Sequence, residues 1–174
     1  MRIMERSPQG VTLTELLVVL SIVAILAVMA MPAFLQLMAR HRLEGATEVL
    51  FGDLQLARLE AVRRDKPVTV AFQTSVDGWR WCYAISDQGA CQCDHRNDCR
   101  LDGSASRIVS AAAFQRISLR TNFHHQQTAF TPLRGALHAG SAILHNEYGS
   151  AHIIVSSLGR IRICSNELRL YPAC

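Results

Sequence analysis

The sequence predicts an α+β protein in which a long N-terminal helix, with a transmembrane half and an amphipathic half, packs on antiparallel β-sheet. Three observations predict it. Between Val11 and Met31 only Thr12, Thr14, Glu15 and Ser21 interrupt an apolar run. From Ala33 to about Asp65 apolar residues recur at three- and four-residue steps. Beyond Pro67 the apolar residues gather into short strand-like runs between turn residues. The chain has 174 residues, 49% hydrophobic and 18% charged, with 18 Lys and Arg against 14 Asp and Glu. Such a composition suits one domain with an appendage; it excludes a two-domain enzyme, a disordered tail protein and a multi-span membrane protein.

Residues 1–10, MRIMERSPQG, carry Arg2 and Arg6 against Glu5, and the apolar run that follows ends at Pro32. At about 1.5 Å per residue the run just spans a bilayer core of about 30 Å. The basic leader then stays in the cytoplasm and the rest of the chain lies across the membrane. A removed secretory signal fits less well, because its apolar core is only about 7 to 15 residues long and ends at a small-residue cleavage site. Glu15 is unexplained by a plain single-span anchor unless it snorkels at the interface, since an ionised carboxylate in hydrocarbon needs a cation.

The second half of the helix places Leu35, Met38, Leu43, Ala46, Val49, Leu50, Leu54, Ala57, Leu59, Ala61 and Val62 on an apolar stripe. Arg58, Arg63, Arg64 and Lys66 crowd its end, where cations favour the helix dipole, and Lys66-Pro67 stops it. Strands are expected at 68–72, 79–85, 117–119, 142–144, 152–155, 161–163 and 168–170, with Asp77-Gly78 as the turn of the first hairpin. Residues 86–113 read as a long polar loop.

The segment from Gly10 through Glu15 to Ala27, closed by Pro32, resembles the class III signal of type IV pilins and type II secretion pseudopilins. The resemblance implies a type IV pilin-like fold with a cleaved leader at 1–10, a transmembrane and filament-core helix at 11–32, and a periplasmic globular domain at 33–174. It further implies that prepilin peptidase cuts between Gly10 and Val11 and methylates the new amino terminus. Val11 stands where the family most often has Phe. Glu15 would neutralise the terminal ammonium of a neighbouring subunit on filament assembly, turning a lone charge into a pair. Leu56 to Arg64, just before Pro67, is similar to the helix end of the GspH/FimT family of minor pilins and minor pseudopilins. Implied partners are other major and minor pilins, the peptidase, and the inner membrane before assembly into a cell-surface pilus.

All six cysteines, Cys82, Cys91, Cys93, Cys99, Cys164 and Cys174, fall beyond the membrane run, where an oxidising compartment favours disulfides. Cys164 and Cys174 are expected to pair; the other four would form two bridges in any of three pairings. Cys91, Cys93, His95 and Cys99 also suggest a zinc site, but the spacing lacks paired CxxC ligands, so no metal is expected. No phosphate cradle, GxSxG elbow or HExxH pair is present, and the chain reads as a binding protein without cofactor rather than an enzyme.

Charge is distributed unevenly. Residues 41–99 hold seven Lys and Arg against nine acids, and residues 100–174 hold eight arginines against three acids, so the distal part is net +5. Arginine forks match phosphate oxygens. If residues 161–163 are extended, Arg160 and Arg162 share one face, about 6 to 7 Å apart, close to the phosphate spacing along a DNA strand. Gly159 would allow close backbone approach, and Ser156 and Ser157 add hydroxyls. This Gly-Arg-x-Arg resembles the motif with which DNA-binding minor pilins of the family capture double-stranded DNA for natural transformation. Arg116, Arg120, Arg134 and Arg169 are further candidates for a basic stripe, and Trp79 and Tyr171 for base stacking. The alternative is a structural minor pilin or GspH-like type II secretion pseudopilin, which initiates or caps a filament while Arg160 and Arg162 line a solvated strand. An adhesin for anionic glycans would use the same arginines.

Overall fold

The computed structural model describes residues 12–95, 98–133 and 135–174. One helix, α1 (Leu13–Arg64), is followed by strands β1 (Val68–Thr74), β2 (Trp81–Ser86), β3 (Arg100–Leu101), β4 (Ser104–Ala105), β5 (Ile108–Ser110), β6 (Ser118–Thr121), β7 (Gln127–Thr131), β8 (Gly135–Ala136), β9 (Gly140–His145), β10 (Ser150–Val155) and β11 (Ile161–Cys164). The chain divides into two compact units, one ending at Leu37 and one spanning Met38–Cys174.

In the first unit, the Thr12 hydroxyl caps the helix by accepting from the Glu15 amide at 3.3 Å. α1 is long and apolar enough to cross a membrane, and the side chains of its most apolar window are unburied. Pro32 lies inside the helix.

In the second unit, Leu43, Ala46, Leu50, Leu54, Ala57 and Ala61 recur on one face of α1 and are buried. They meet two antiparallel sheets, ordered β5-β2-β1-β7-β8 and β11-β10-β9-β6, around one core. Phe72, Tyr83 and Phe130 come from the first sheet and Leu119, Leu144 and Ile153 from the second. Leu59 and Val62, expected on the same stripe, are instead 61% and 56% exposed. Asp53 is buried in this core, accepting from the Tyr83 hydroxyl at 2.8 Å. Burial, and then the Asp53 carboxylate, push the Tyr83 phenol upward, so it remains a donor.

Asp65, at φ +51°, ends α1, and the Lys66 amide donates back to the Ala61 carbonyl at 3.3 Å. This is a left-handed helix stop closed by the Lys66 amide ahead of Pro67. Arg64 ties the helix end to the end of β2 and to the β3–β4 turn, lying 3.4 Å from Asp87 and 3.2 Å from Asp102. Two expectations are corrected. The stretch expected as a polar loop contains β3, β4 and β5, and β5 forms an edge of the first sheet. Residues 168–170 form a turn rather than a strand, closed by the Tyr171 amide donating to the Leu168 carbonyl at 3.1 Å, and Leu168 is buried in the main core.

Candidate nucleic-acid interface

The β10–β11 hairpin turns through Ser157, Leu158 and Gly159. The Gly159 amide donates to the Ser156 carbonyl at 2.9 Å, and the Ser156 amide to the Arg160 carbonyl at 3.0 Å. Gly159 adopts φ +73°, the left-handed residue that a three-residue hairpin loop of this kind requires. The Ser156 hydroxyl accepts from the Arg160 amide at 3.1 Å, so its role here is to fix the turn. A second glycine locks the turn from outside. The Ala136 amide donates to the Ser157 carbonyl at 3.2 Å, and a Cβ on Gly135 would lie 2.5 Å from the Leu158 carbonyl carbon. The glycine of the Gly-Arg-x-Arg segment is thus needed for its own conformation and for contact with Gly135.

From this turn the chain runs into β11, an edge strand paired only with β10. Arg160 and Arg162 are exposed, Ile161 is buried and Ile163 half-buried. A groove of about 410 Å³ runs beside Arg160, Arg162 and Ile154. Cys164, the last residue of β11, is bonded to Cys174, and the Ser165 amide donates to the Pro172 carbonyl at 2.9 Å. Each end of the arginine-bearing segment is therefore anchored. Cys82–Cys93 and Cys91–Cys99 are the other two bridges.

The other candidate arginines separate. Strand register places Ile154 opposite Arg162, and Arg120 in the row that runs through Ile143 and His152 to Cys164. Residues opposite one another, and residues two apart along a strand, share a face, so Arg120 and His152 in one row lie on the same outer face as Ile154 and Arg162 in the next. Arg116 lies at the opposite end of this sheet from the Ser156–Gly159 turn, 3.9 Å from Glu147. Arg169 is exposed in the loop closed by Cys164–Cys174. Gly10, Val11 and Arg134 lie outside the described residues. Glu15 is exposed in the first turn of α1.

Ion pairing divides the arginines further. Arg40, Arg63, Arg64, Arg107 and Arg116 each face a carboxylate. Among the described residues no carboxylate lies within 4.0 Å of Arg42, Arg58, Arg80, Arg100, Arg120, Arg160, Arg162 or Arg169. Unpaired guanidinium groups retain their full capacity for an external anion. His124, His125 and His138 do approach one another, with ring centroids 3.9 and 5.6 Å from that of His124. No group of three or more ligating side chains among the described residues is arranged to hold a metal ion. Sequence reasoning placed His152 in a strand as a surface histidine without its register, and missed Gly135. The register was recoverable from the hairpin loop length, which sets His152 against Cys164; the glycine came from a tertiary contact with no local signal.

Residues 46–159 match the family described as Type II transport protein GspH, and residues 6–31 match the prokaryotic N-terminal methylation motif. Two crystal structures of the type IV minor pilin FimU of Pseudomonas aeruginosa, strain PAO1, are similar to the chain. They are 20% and 17% identical, cover 71% and 70% of this chain and 89% and 91% of theirs, and give TM-scores of 0.49 and 0.47. No curated protein sequence matches. The chain belongs to the GspH family of minor pilins and pseudopilins, which are structural rather than enzymatic proteins.

Proposed function

We propose that this GspH-family chain is a minor type IV pilin that captures extracellular double-stranded DNA, without sequence preference, for uptake in natural transformation. The observation that carries the reading is the pair of exposed guanidinium groups of Arg160 and Arg162, without a carboxylate partner among the described residues and one strand-step apart on a hairpin anchored at both ends. Phosphate contacts of this kind hold a duplex in place and carry no sequence information. The segment Gly159-Arg160-Ile161-Arg162 also resembles the DNA-binding motif of the minor pilin FimT.

In this reading the precursor sits in the inner membrane with its head in the periplasm. Prepilin peptidase cuts between Gly10 and Val11 and methylates Val11, and Glu15 pairs with a neighbour's amino terminus in the filament. Retraction is supplied by other proteins. The second reading, a pseudopilin that initiates or caps a secretion filament, is favoured by the family description as a type II transport protein.

Replacement of the chromosomal copy by Arg160→Ala/Arg162→Ala tests the choice. Filaments should still assemble while uptake of fluorescent duplex DNA falls at least about tenfold, as expected for loss of contacts worth more than about 1.4 kcal/mol. Unchanged uptake with normal filaments contradicts a DNA receptor and leaves the structural role.

A further inference from the structure

The outer face of the β11-β10-β9-β6 sheet continues beyond the hairpin arginines. On β10, Ile154 borders the groove beside Arg162, and His152, two residues away on the same face, borders a second groove of about 400 Å³. That second groove is walled by Trp79, Arg120, Ile143 and His145. Arg120 stands on the far edge strand, so three inter-strand steps of about 4.8 Å put it roughly 14 Å across the sheet from β11.

Trp79 is brought there by the β1–β2 turn. Gly78, at φ +77°, docks on β6: the Leu119 amide donates to its carbonyl at 2.9 Å, and a Cβ at this position would lie 3.4 Å from the Arg120 Cγ. Trp79 follows immediately and is 49% exposed. Tryptophan usually packs in a core or at an interface; this one stands open beside a guanidinium that has no carboxylate partner among the described residues. Two acids belong to this face, Asp77 lining the same groove and Glu167 beside Ser150, and both stay ionised, held in place by hydrogen bonds from their own neighbours rather than by Arg120. Asp77 accepts from the Ser75 hydroxyl and from the Trp79 amide at 3.2 Å, and Glu167 accepts from the Ser150 amide at 3.1 Å.

We propose that Arg120 and Trp79 form a second DNA contact on the same track as Arg160 and Arg162. Arg120 takes a backbone phosphate, and Trp79 stacks on a base of unpaired DNA, as at a frayed or single-stranded end. The proposal rests on the DNA-receptor reading of the hairpin and assigns the rest of that surface. Its signature is a split between substrates: a phosphate contact serves duplex and single strand alike, whereas an indole face gains only where a base is free to stack.

The test is equilibrium binding of the full-length chain in nonionic detergent to a duplex and to a single strand of equal length, at several salt concentrations. Wild type is compared with Arg160→Ala/Arg162→Ala, Arg120→Ala, Trp79→Ala and Trp79→Phe, each checked for an unchanged near-ultraviolet signal apart from the indole itself. Arg120→Ala should flatten the duplex salt slope by about 0.9, one phosphate's worth. Trp79→Ala should weaken single-strand binding roughly five- to 150-fold while leaving duplex binding nearly unchanged, and Trp79→Phe should retain most of it. If Arg120→Ala and Trp79→Ala bind both DNAs like wild type while the hairpin double variant is defective, the second contact is wrong and the hairpin reading stands. If wild type binds neither DNA at low salt, both fall together.

Discussion

At the scale of single residues, Gly135 and Gly159 carry more of the site than their chemistry suggests. Each has a positive φ, and each blocks a Cβ on the other's loop. Gly135→Ala must move the hairpin backbone as well as adopt a left-handed conformation, which together cost on the order of 2 to 3 kcal/mol. The midpoint of thermal unfolding should drop by several degrees, and DNA binding should weaken although no arginine has changed. Glu60 offers a pH test. Hydrogen bonds from Arg63, and then Arg64, hold its carboxyl below the usual carboxylate range. A depressed folded-state value stabilises above the unfolded value near 4.3 and is lost as pH falls through the folded one. Thermal stability should therefore fall below about pH 4, and Glu60→Gln should reduce that fall; identical acid profiles for the two proteins would remove Glu60 from the account.

At the scale of elements, the β10–β11 hairpin and its disulfide act as one unit. The Cys164–Cys174 bridge closes a loop with a sequence separation of 10, and Leu168 within that loop is buried in the main core. Replacing both cysteines with serine should cost about 2 to 3 kcal/mol by the chain-entropy argument and release the end of β11, seen as faster amide exchange at Arg162 and Ile163. Much of this architecture is legible in the sequence. Helix α1 announces itself by period and by its Pro67 stop, and the β1–β2 hairpin by Asp77-Gly78. The apolar cores of β9, β10 and β11 mark their centres. Other elements have no such signal. Strand β7 reads Gln-Thr-Ala-Phe-Thr and β8 has two residues, so both exist through their pairing with neighbours rather than through local pattern. Leu168-Arg-Leu170 alternates like a strand, yet it has no strand partner among the described residues and closes as a turn through the Tyr171 amide and the Leu168 carbonyl. The exposure of Leu59 and Val62 was hidden for a related reason: a wide apolar stripe does not say which edge the sheets leave uncovered. In the candidate site, alternation alone places Arg160 and Arg162 together, but the shared face of Arg120 and the lock by Gly135 require the folded register.

At the scale of the whole molecule, the proposed function divides two tasks between separate segments. The apolar first unit carries Glu15, for which filament assembly would provide a cation on the reading proposed above, and the second unit carries the exposed arginines. Glu15→Ala should therefore abolish or sharply reduce incorporation into filaments while leaving DNA binding by the detergent-solubilised chain unchanged. Normal filaments bearing Glu15→Ala would contradict the assembly role. The reverse pattern is expected of the hairpin variants, so the two defects should be separable in one set of strains.

The central claim is that Arg160 and Arg162 hold DNA by its phosphates. The most direct measurement is the salt dependence of duplex binding by the full-length protein, on two duplexes of unrelated sequence, for wild type and for Arg160→Ala/Arg162→Ala. The account predicts equal affinities for the two sequences, a logarithmic slope of about −0.9 per phosphate contacted, and a slope shallower by about 1.8 in the double variant. A wild-type slope equal to that of the folded double variant, or affinity confined to one sequence, would contradict it.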